Sequence, residues 1–242
     1  MALLLQIPAS VVLAASEGTR IVDVAIGPPG QVCALQATGT VWCWGTGILN
    51  GQESDSSEPR VVPTLSGITK IAAGSFASCA ISQDGEVRCW GTNLQAKSVS
   101  ATPFTVTGLP PVAEVAIGFR HMCARTVAGD VLCWGANPAG ELGDGRTTDN
   151  YQPTRVEGVD HAVSIDVGVN NTCVADAAGA VKCWGTDNQS GVAEGRGFAI
   201  SSKRPETLAY LEKIQSVQNG RNYACGRDRH GAIFCWGSLG AV

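Results

Sequence analysis

Short apolar stretches separated by glycine, proline and asparagine run the whole length of the chain, and none holds a helical period long enough for a helix of useful length. Several have the same shape. Val22-Asp23-Val24-Ala25-Ile26, Ile71-Ala72-Ala73, Val115-Ala116-Ile117 and Ile165-Asp166-Val167 each end at a glycine (Gly27, Gly74, Gly118, Gly168), as does a fifth stretch at Gly220. A glycine there marks a turn. Downstream, strand alternation puts Cys33, Leu35, Val41 and Cys43 on one face and Ala34, Trp42 and Trp44 on the other. Both faces are apolar, which predicts sheets covered on both sides.

These stretches belong to a repeat. A cysteine, nine residues and then Cys-Trp-Gly occur five times: Cys33/Cys43, Cys79/Cys89, Cys123/Cys133, Cys173/Cys183 and Cys225/Cys235. The first cysteines stand at 33, 79, 123, 173 and 225, intervals of 44 to 52 residues, a period typical of solenoids and propellers. Four residues before each second cysteine lies Gly39, Gly85, Gly129, Gly179 or Gly231. A three-residue hairpin loop ending in a left-handed residue needs glycine there, and this register sets the two cysteines opposite each other. Opposed cysteines in a non-hydrogen-bonded pair lie within disulfide reach. Even count and uniform pairing favour five disulfides, with buried free thiols as the alternative. A metal site is disfavoured, because there is no Cys-x-x-Cys and each pair sits in a different repeat.

The linker after Trp134 reads Gly135-Ala-Asn137-Pro-Ala-Gly140-Glu-Leu142-Gly143-Asp-Gly145, followed by Tyr151-Gln-Pro153-Thr-Arg-Val156. With the cysteine phrase, this resembles the repeat of the regulator of chromosome condensation family. The linkers after Trp44, Trp90 and Trp184 keep fragments of that glycine pattern (Asn50-Gly51, Asn93, Asn188 and Gly191), and only His121 keeps the family histidine before the cysteine. The resemblance implies an all-β propeller, with five blades in this chain, over repeats of about 7–45, 46–91, 92–135, 136–185 and 186–237 in a single domain of 1–242. Pro8, Val11-Val12 and Val22 to Ile26 resemble the strands that follow every other Trp-Gly, so the N-terminal strands are expected to close the ring on the last blade. The family ring has seven blades, so a piece of a longer propeller is the rival. Residues 1–16 also read as a signal peptide, although Pro8 interrupts the apolar run and no basic region precedes it.

Composition narrows the function. Seventeen basic and 21 acidic residues give a net charge of −4 without blocks of either sign, which argues against nucleic-acid binding. No stretch is long enough to span a bilayer. The three histidines, His121, His161 and His230, fall in different repeats, and no nucleophile or phosphate motif accompanies them. Asp144 to Asn150 lacks the oxygen-ligand spacing of a calcium loop and reads as a linker turn. Five tryptophans, Trp44, Trp90, Trp134, Trp184 and Trp236, take one equivalent site per repeat, which predicts blade-to-blade packing with each indole N–H tied to a neighbour. Trp42 and its equivalents Arg88 and Lys182 vary in polarity and are the binding candidates. The expected function is therefore a non-catalytic scaffold, without cofactor or metal, a monomer that binds a protein or glycan through its inter-blade loops. Extracytoplasmic or secreted location follows from the disulfides. The chain resembles a secreted or bacterial cysteine-rich variant of the family, and the similar fold of the propeller-type β-lactamase inhibitor proteins implies that a secreted bacterial ring of this kind can act as a tight protein binder. The family name implies the alternative, guanine-nucleotide exchange on a small GTPase; a propeller enzyme ranks below both. With reduced thiols the location becomes cytoplasmic.

Overall fold

The computed structural model describes residues 20–28, 30–46, 48–49, 52–53, 56–75, 77–186, 201–220 and 223–237. All regular structure among them is strand. Five antiparallel sheets stand side by side, each with its first strand innermost. In the first blade Ile21–Gly27, Gln31–Gln36, Val41–Gly45 and Ser56–Val61 follow one another outward, and a two-residue pair, Ile48–Leu49 with Gln52–Glu53, sits in its linker. The second blade runs Ile68–Ala73, Ala77–Ser82, Val87–Asn93 and Ser98–Thr105, and the third Val112–Ile117, His121–Thr126, Val131–Gly135 and Asn150–Arg155. The fourth is Ala162–Val167, Asn171–Asp176, Val181–Thr186 and Ser201–Thr207; the fifth has three described strands, Ile214–Asn219, Tyr223–Asp228 and Ile233–Gly237. Each inner strand packs on that of the next blade, from the first to the fifth.

The hairpin reading holds in detail. Cys33 faces Cys43, Cys79 faces Cys89, Cys123 faces Cys133, Cys173 faces Cys183 and Cys225 faces Cys235. Their Cα atoms are 4.0–4.2 Å apart, the close spacing of a non-hydrogen-bonded pair, and all five pairs are disulfide-bonded. The hairpin glycines take φ between +78° and +87°, as a three-residue loop requires. The glycines that end the inner strands do more than turn the chain. A Cβ on Gly118 would come within 2.5 Å of the Gly168 carbonyl oxygen in the next blade, so glycine is what lets neighbouring blades meet at the axis.

The core lies between blades. Trp90 packs on the Cys33–Cys43 hairpin, Trp134 on Cys79–Cys89, Trp184 next to Cys123–Cys133 and Trp236 on Cys173–Cys183. Each tryptophan thus covers the disulfide of the preceding blade. Ring closure at the N-terminus differs from expectation. Ile21–Gly27 is the inner strand of the first blade and pairs with Gln31–Gln36, and among the described residues no strand pairs with the outer edge of Ile233–Gly237. The remainder of that expectation, Pro8 and Val11-Val12 as the outer strand of the last blade, lies outside the described residues, as does the question of a signal peptide in 1–16.

Candidate functional site

The edges of the blades form two faces. At one, the inner strand turns back through Gly118-Phe119-Arg120-His121 and its equivalents; at the other lie the cysteine hairpin turns. On the first face, a depression of about 870 Å³ on the axis is lined from all five blades, including Ile26, Ala73, Ile117, Val167 and Gln218. Beside it, between the second and third blades, a cleft of about 360 Å³ has an apolar lining of Ala77, Leu94, Ile117 and Met122. Exposed Phe119 and Arg120 stand at the cleft together with Tyr151, and the Lys97 ammonium lies 4.6 Å from the Tyr151 ring centroid, a cation–π contact. Tyr151 in turn donates its hydroxyl to Asp149 at 2.8 Å.

The carboxylates of this face are held by the fold. Asp166 accepts the Asn219 N–H of the fifth blade at 2.6 Å and its neighbour Val167 N–H at 2.9 Å, and its carbonyl accepts the Asn219 amide at 2.7 Å. Burial nevertheless raises its pKa to about 6, because desolvation outweighs these donors. Asp23 likewise accepts the Ile71 N–H across the first two blades at 3.2 Å. The Asp144–Asn150 loop is a linker turn: Asp144 accepts from Arg146 and Asn137, and Asp149 accepts the Asn137 N–H. Among the described residues no three His, Cys, Asp or Glu side chains gather as metal ligands.

His121 is buried and belongs to a clamp between the third and fourth blades. The Thr172 hydroxyl donates to the Glu141 carbonyl at 3.0 Å, so the His121 Nε2 3.0 Å from that hydroxyl must be the donor, which fixes the tautomer. The same Glu141 carbonyl accepts the Trp184 indole N–H at 2.7 Å. Burial lowers the His121 pKa to about 4, and the ring stays neutral. The expectation of a partner for every indole is met at Trp184 through this full-length linker, whereas the nitrogens of Trp90 and Trp236 are buried without one. The linkers facing those two keep only fragments of the glycine pattern.

These two groups titrate in opposite directions. His121 binds fewer protons folded than unfolded, so stability present above pH 6.5 is lost as pH falls toward 4, by about 3 kcal/mol. Asp166 binds more protons folded, so its contribution decreases as pH rises from 4 to 6, by about 3 kcal/mol. Relative to the unmodified chain, Asp166→Asn should lose stability on acidification from pH 6 to 4 and His121→Gln should gain it. Urea midpoints at pH 4, 5, 6 and 7 measure both; parallel profiles for all three proteins would contradict the assignment.

The binding candidates from the sequence occupy equivalent sites in three different blades and are not brought together. Arg88 donates to the Thr64 carbonyl at 3.0 Å and to Glu86 at 3.3 Å, and Lys182 donates to the Gly158 carbonyl at 2.8 Å. Each ties a third strand to the turn preceding its own blade. Trp42 is half-buried and its indole nitrogen has no partner. All three lie near the hairpin-turn face, opposite the cleft. The cleft residues were missed because Lys97, Phe119 and Tyr151 come from three unrelated places in the repeat; the only sequence signal is an aromatic in an otherwise polar turn.

With this geometry, comparison with known proteins is informative. Two models of the regulator of chromosome condensation (RCC1) repeat match, one at residues 68–95 and 112–141, the other at 128–175. No curated protein sequence matches. Among solved structures, Prp20p of Saccharomyces cerevisiae, described with its binding properties to Gsp1p and histones, is similar at 22% identity and a TM-score of 0.74 over 90% of this chain and 57% of that one. Yeast RCC1 bound to Kap60 gives 24% and 0.73 over 91% and 57%, and human WBSCR16 gives 20% and 0.73 over 90% and 62%. The chain spans less than two thirds of the length of these structures, and the likeness is one of fold.

Proposed function

Since the chain carries repeats of the regulator of chromosome condensation family, we propose that it is a non-catalytic propeller scaffold that binds a protein partner through the face bearing the axial glycine turns. One observation carries this reading: on that face an apolar cleft, with exposed Phe119 and the Lys97–Tyr151 pair beside it, adjoins the axial depression. Aromatic anchors with a cationic rim are the usual make-up of a protein-binding hot spot. Asp166 and Asp23 accept backbone N–H groups across neighbouring blades, which supports a structural role for these two carboxylates. Five disulfides fit an oxidising, extracytoplasmic compartment, and secretion is part of the proposal.

The test is a binding screen on extracellular extracts with the chain and its Phe119→Asp variant immobilised in parallel. A saturable protein partner weakened at least tenfold by the substitution is the expected result. A partner indifferent to Phe119→Asp, or a glycan in its place, would refute the assignment to this face. Accelerated nucleotide release from a small GTPase would replace the proposal with the exchange reading.

A further inference from the structure

The cleft between the second and third blades has a filled counterpart one interface further on. Between the third and fourth blades the linker turn seats Glu141 and Leu142, which are 2% and 4% exposed. The Glu141 carbonyl takes the Thr172 hydroxyl and the Trp184 indole N–H, and Leu142 lies in the core with Trp184 and Cys123. Two positions hold that turn: His121, two residues before a first cysteine, and Thr172, one residue before the next. At the preceding interface the same positions are Ala77 and Met122, which share a core cluster and line the cleft. Neither side chain is a hydrogen-bond donor. The linker is also shorter there: Gly91 pairs with Ser100, nine positions on, where Gly135 pairs with Asn150, fifteen positions on. Its leucine, Leu94, stands half-buried in the cleft wall, and about 360 Å³ is left open. The cleft is thus the seat that a linker leucine fills at the next interface, without the polar groups that hold the turn.

Charge sets what can enter. Lys97 and Arg120 are exposed at the rim, and among the described residues neither forms an ion pair. The carboxylates of the neighbouring linker are already engaged, Glu141 by the Ala139 N–H at 2.8 Å and Asp149 by the Asn137 N–H and the Tyr151 hydroxyl. Resting on the assignment of this face to a protein partner, we propose that the partner inserts a leucine-sized side chain into the cleft from an acidic segment, whose carboxylates meet Lys97 and Arg120. The chain's own linker is the template, since Gly140-Glu-Leu142-Gly-Asp144 sets a buried leucine between two acids. Burial of the leucine supplies most of the attraction and the exposed ion pairs less, so the leucine decides whether a segment binds and the charge decides which one.

The methionines are Met1 and Met122, so methyl-labelled methionine places an NMR reporter in the cleft, assigned by its loss in Met122→Leu. The probes are three blocked heptapeptides: the sequence of residues 139–145, Ala-Gly-Glu-Leu-Gly-Asp-Gly; the same with alanine for leucine; and the same with lysine for both acids. The first should shift the Met122 methyl saturably, and the other two should bind about tenfold more weakly or not at all. In the double variant Lys97→Glu/Arg120→Glu the preference should reverse toward the lysine peptide; both side chains are exposed, so its peptide-free spectrum should match that of the parent. The three peptides on the parent chain decide the matter even where that variant fails to fold. No saturable shift with the acidic leucine peptide at millimolar concentration, or equal affinity for either of the other two, would overturn the inference. The titration needs no partner from an extract, so the proposed function can fail without it. A captured partner weakened by Phe119→Asp but not displaced by the acidic leucine peptide would leave that function standing and overturn this inference alone.

Discussion

Full reduction of the five disulfides is expected to unfold the chain at ambient temperature. Each bridge joins cysteines 10 residues apart, and closing so short a loop in the unfolded chain is worth about 2–3 kcal/mol. Five sum to on the order of 10 kcal/mol, comparable to the whole stability of a typical domain, about 5–15 kcal/mol. The order of loss is also set by the structure. Cys33, Cys43, Cys79, Cys89, Cys123, Cys133, Cys173 and Cys183 are buried beneath the next blade, whereas Cys235 is exposed. Graded reductant followed by alkylation and peptide mapping should therefore label Cys225 and Cys235 first, with the fold intact, and the other eight together as it collapses. Intact mass should rise by about 10 Da on complete reduction, two hydrogens for each bridge. Simultaneous labelling of all ten would show that the fifth hairpin is covered in solution.

Replacing Gly179 with valine should be nearly as damaging. Its φ is +87°, which a β-branched residue resists, and its Cβ would lie 2.5 Å from the Lys213 Cα and 2.8 Å from the Lys213 nitrogen at the start of the fifth blade. Left-handed strain of about 1–2 kcal/mol then adds to a backbone clash that the chain relieves only by parting the fourth and fifth blades. The internal control is Gly231→Val, at φ +85° in the same turn with open space around it, where only the strain remains. Thermal melts should separate the two by several degrees; equal losses would mean that the Gly179 contact does not matter.

How far the sequence reached can be traced through single residues. Gly39 and its equivalents announce themselves, since only one hairpin places glycine four residues before a cysteine and so puts the cysteines face to face. Local chemistry of this kind is legible because the turn sets the register. Relations between blades were harder to read. Nothing in the spacing of Asp166 says that its carboxylate receives the Asn219 N–H 53 residues away, nor that the Glu141 carbonyl serves Trp184 and Thr172 together. Position in the ring is the least legible of all: Val24 and Val217 look alike as residues, yet Val24 is 54% exposed and Val217 is buried against the fourth blade. The cleft shares this problem, being assembled from turns that the repeat does not constrain.

Because every disulfide closes within one hairpin and none crosses from blade to blade, the covalent network does not oppose a pull along the chain. Drawn from its ends, the molecule should give way one blade at a time, each blade holding its ten-residue link shut while its other strands peel off. With hairpins recurring every 44 to 52 residues and links of 10 residues, each step releases about 34 to 42 residues, or roughly 11–15 nm of extended chain. Each step should therefore stop about 3 nm short of the full extension of its repeat, a mechanical signature that counts the stapled hairpins one by one.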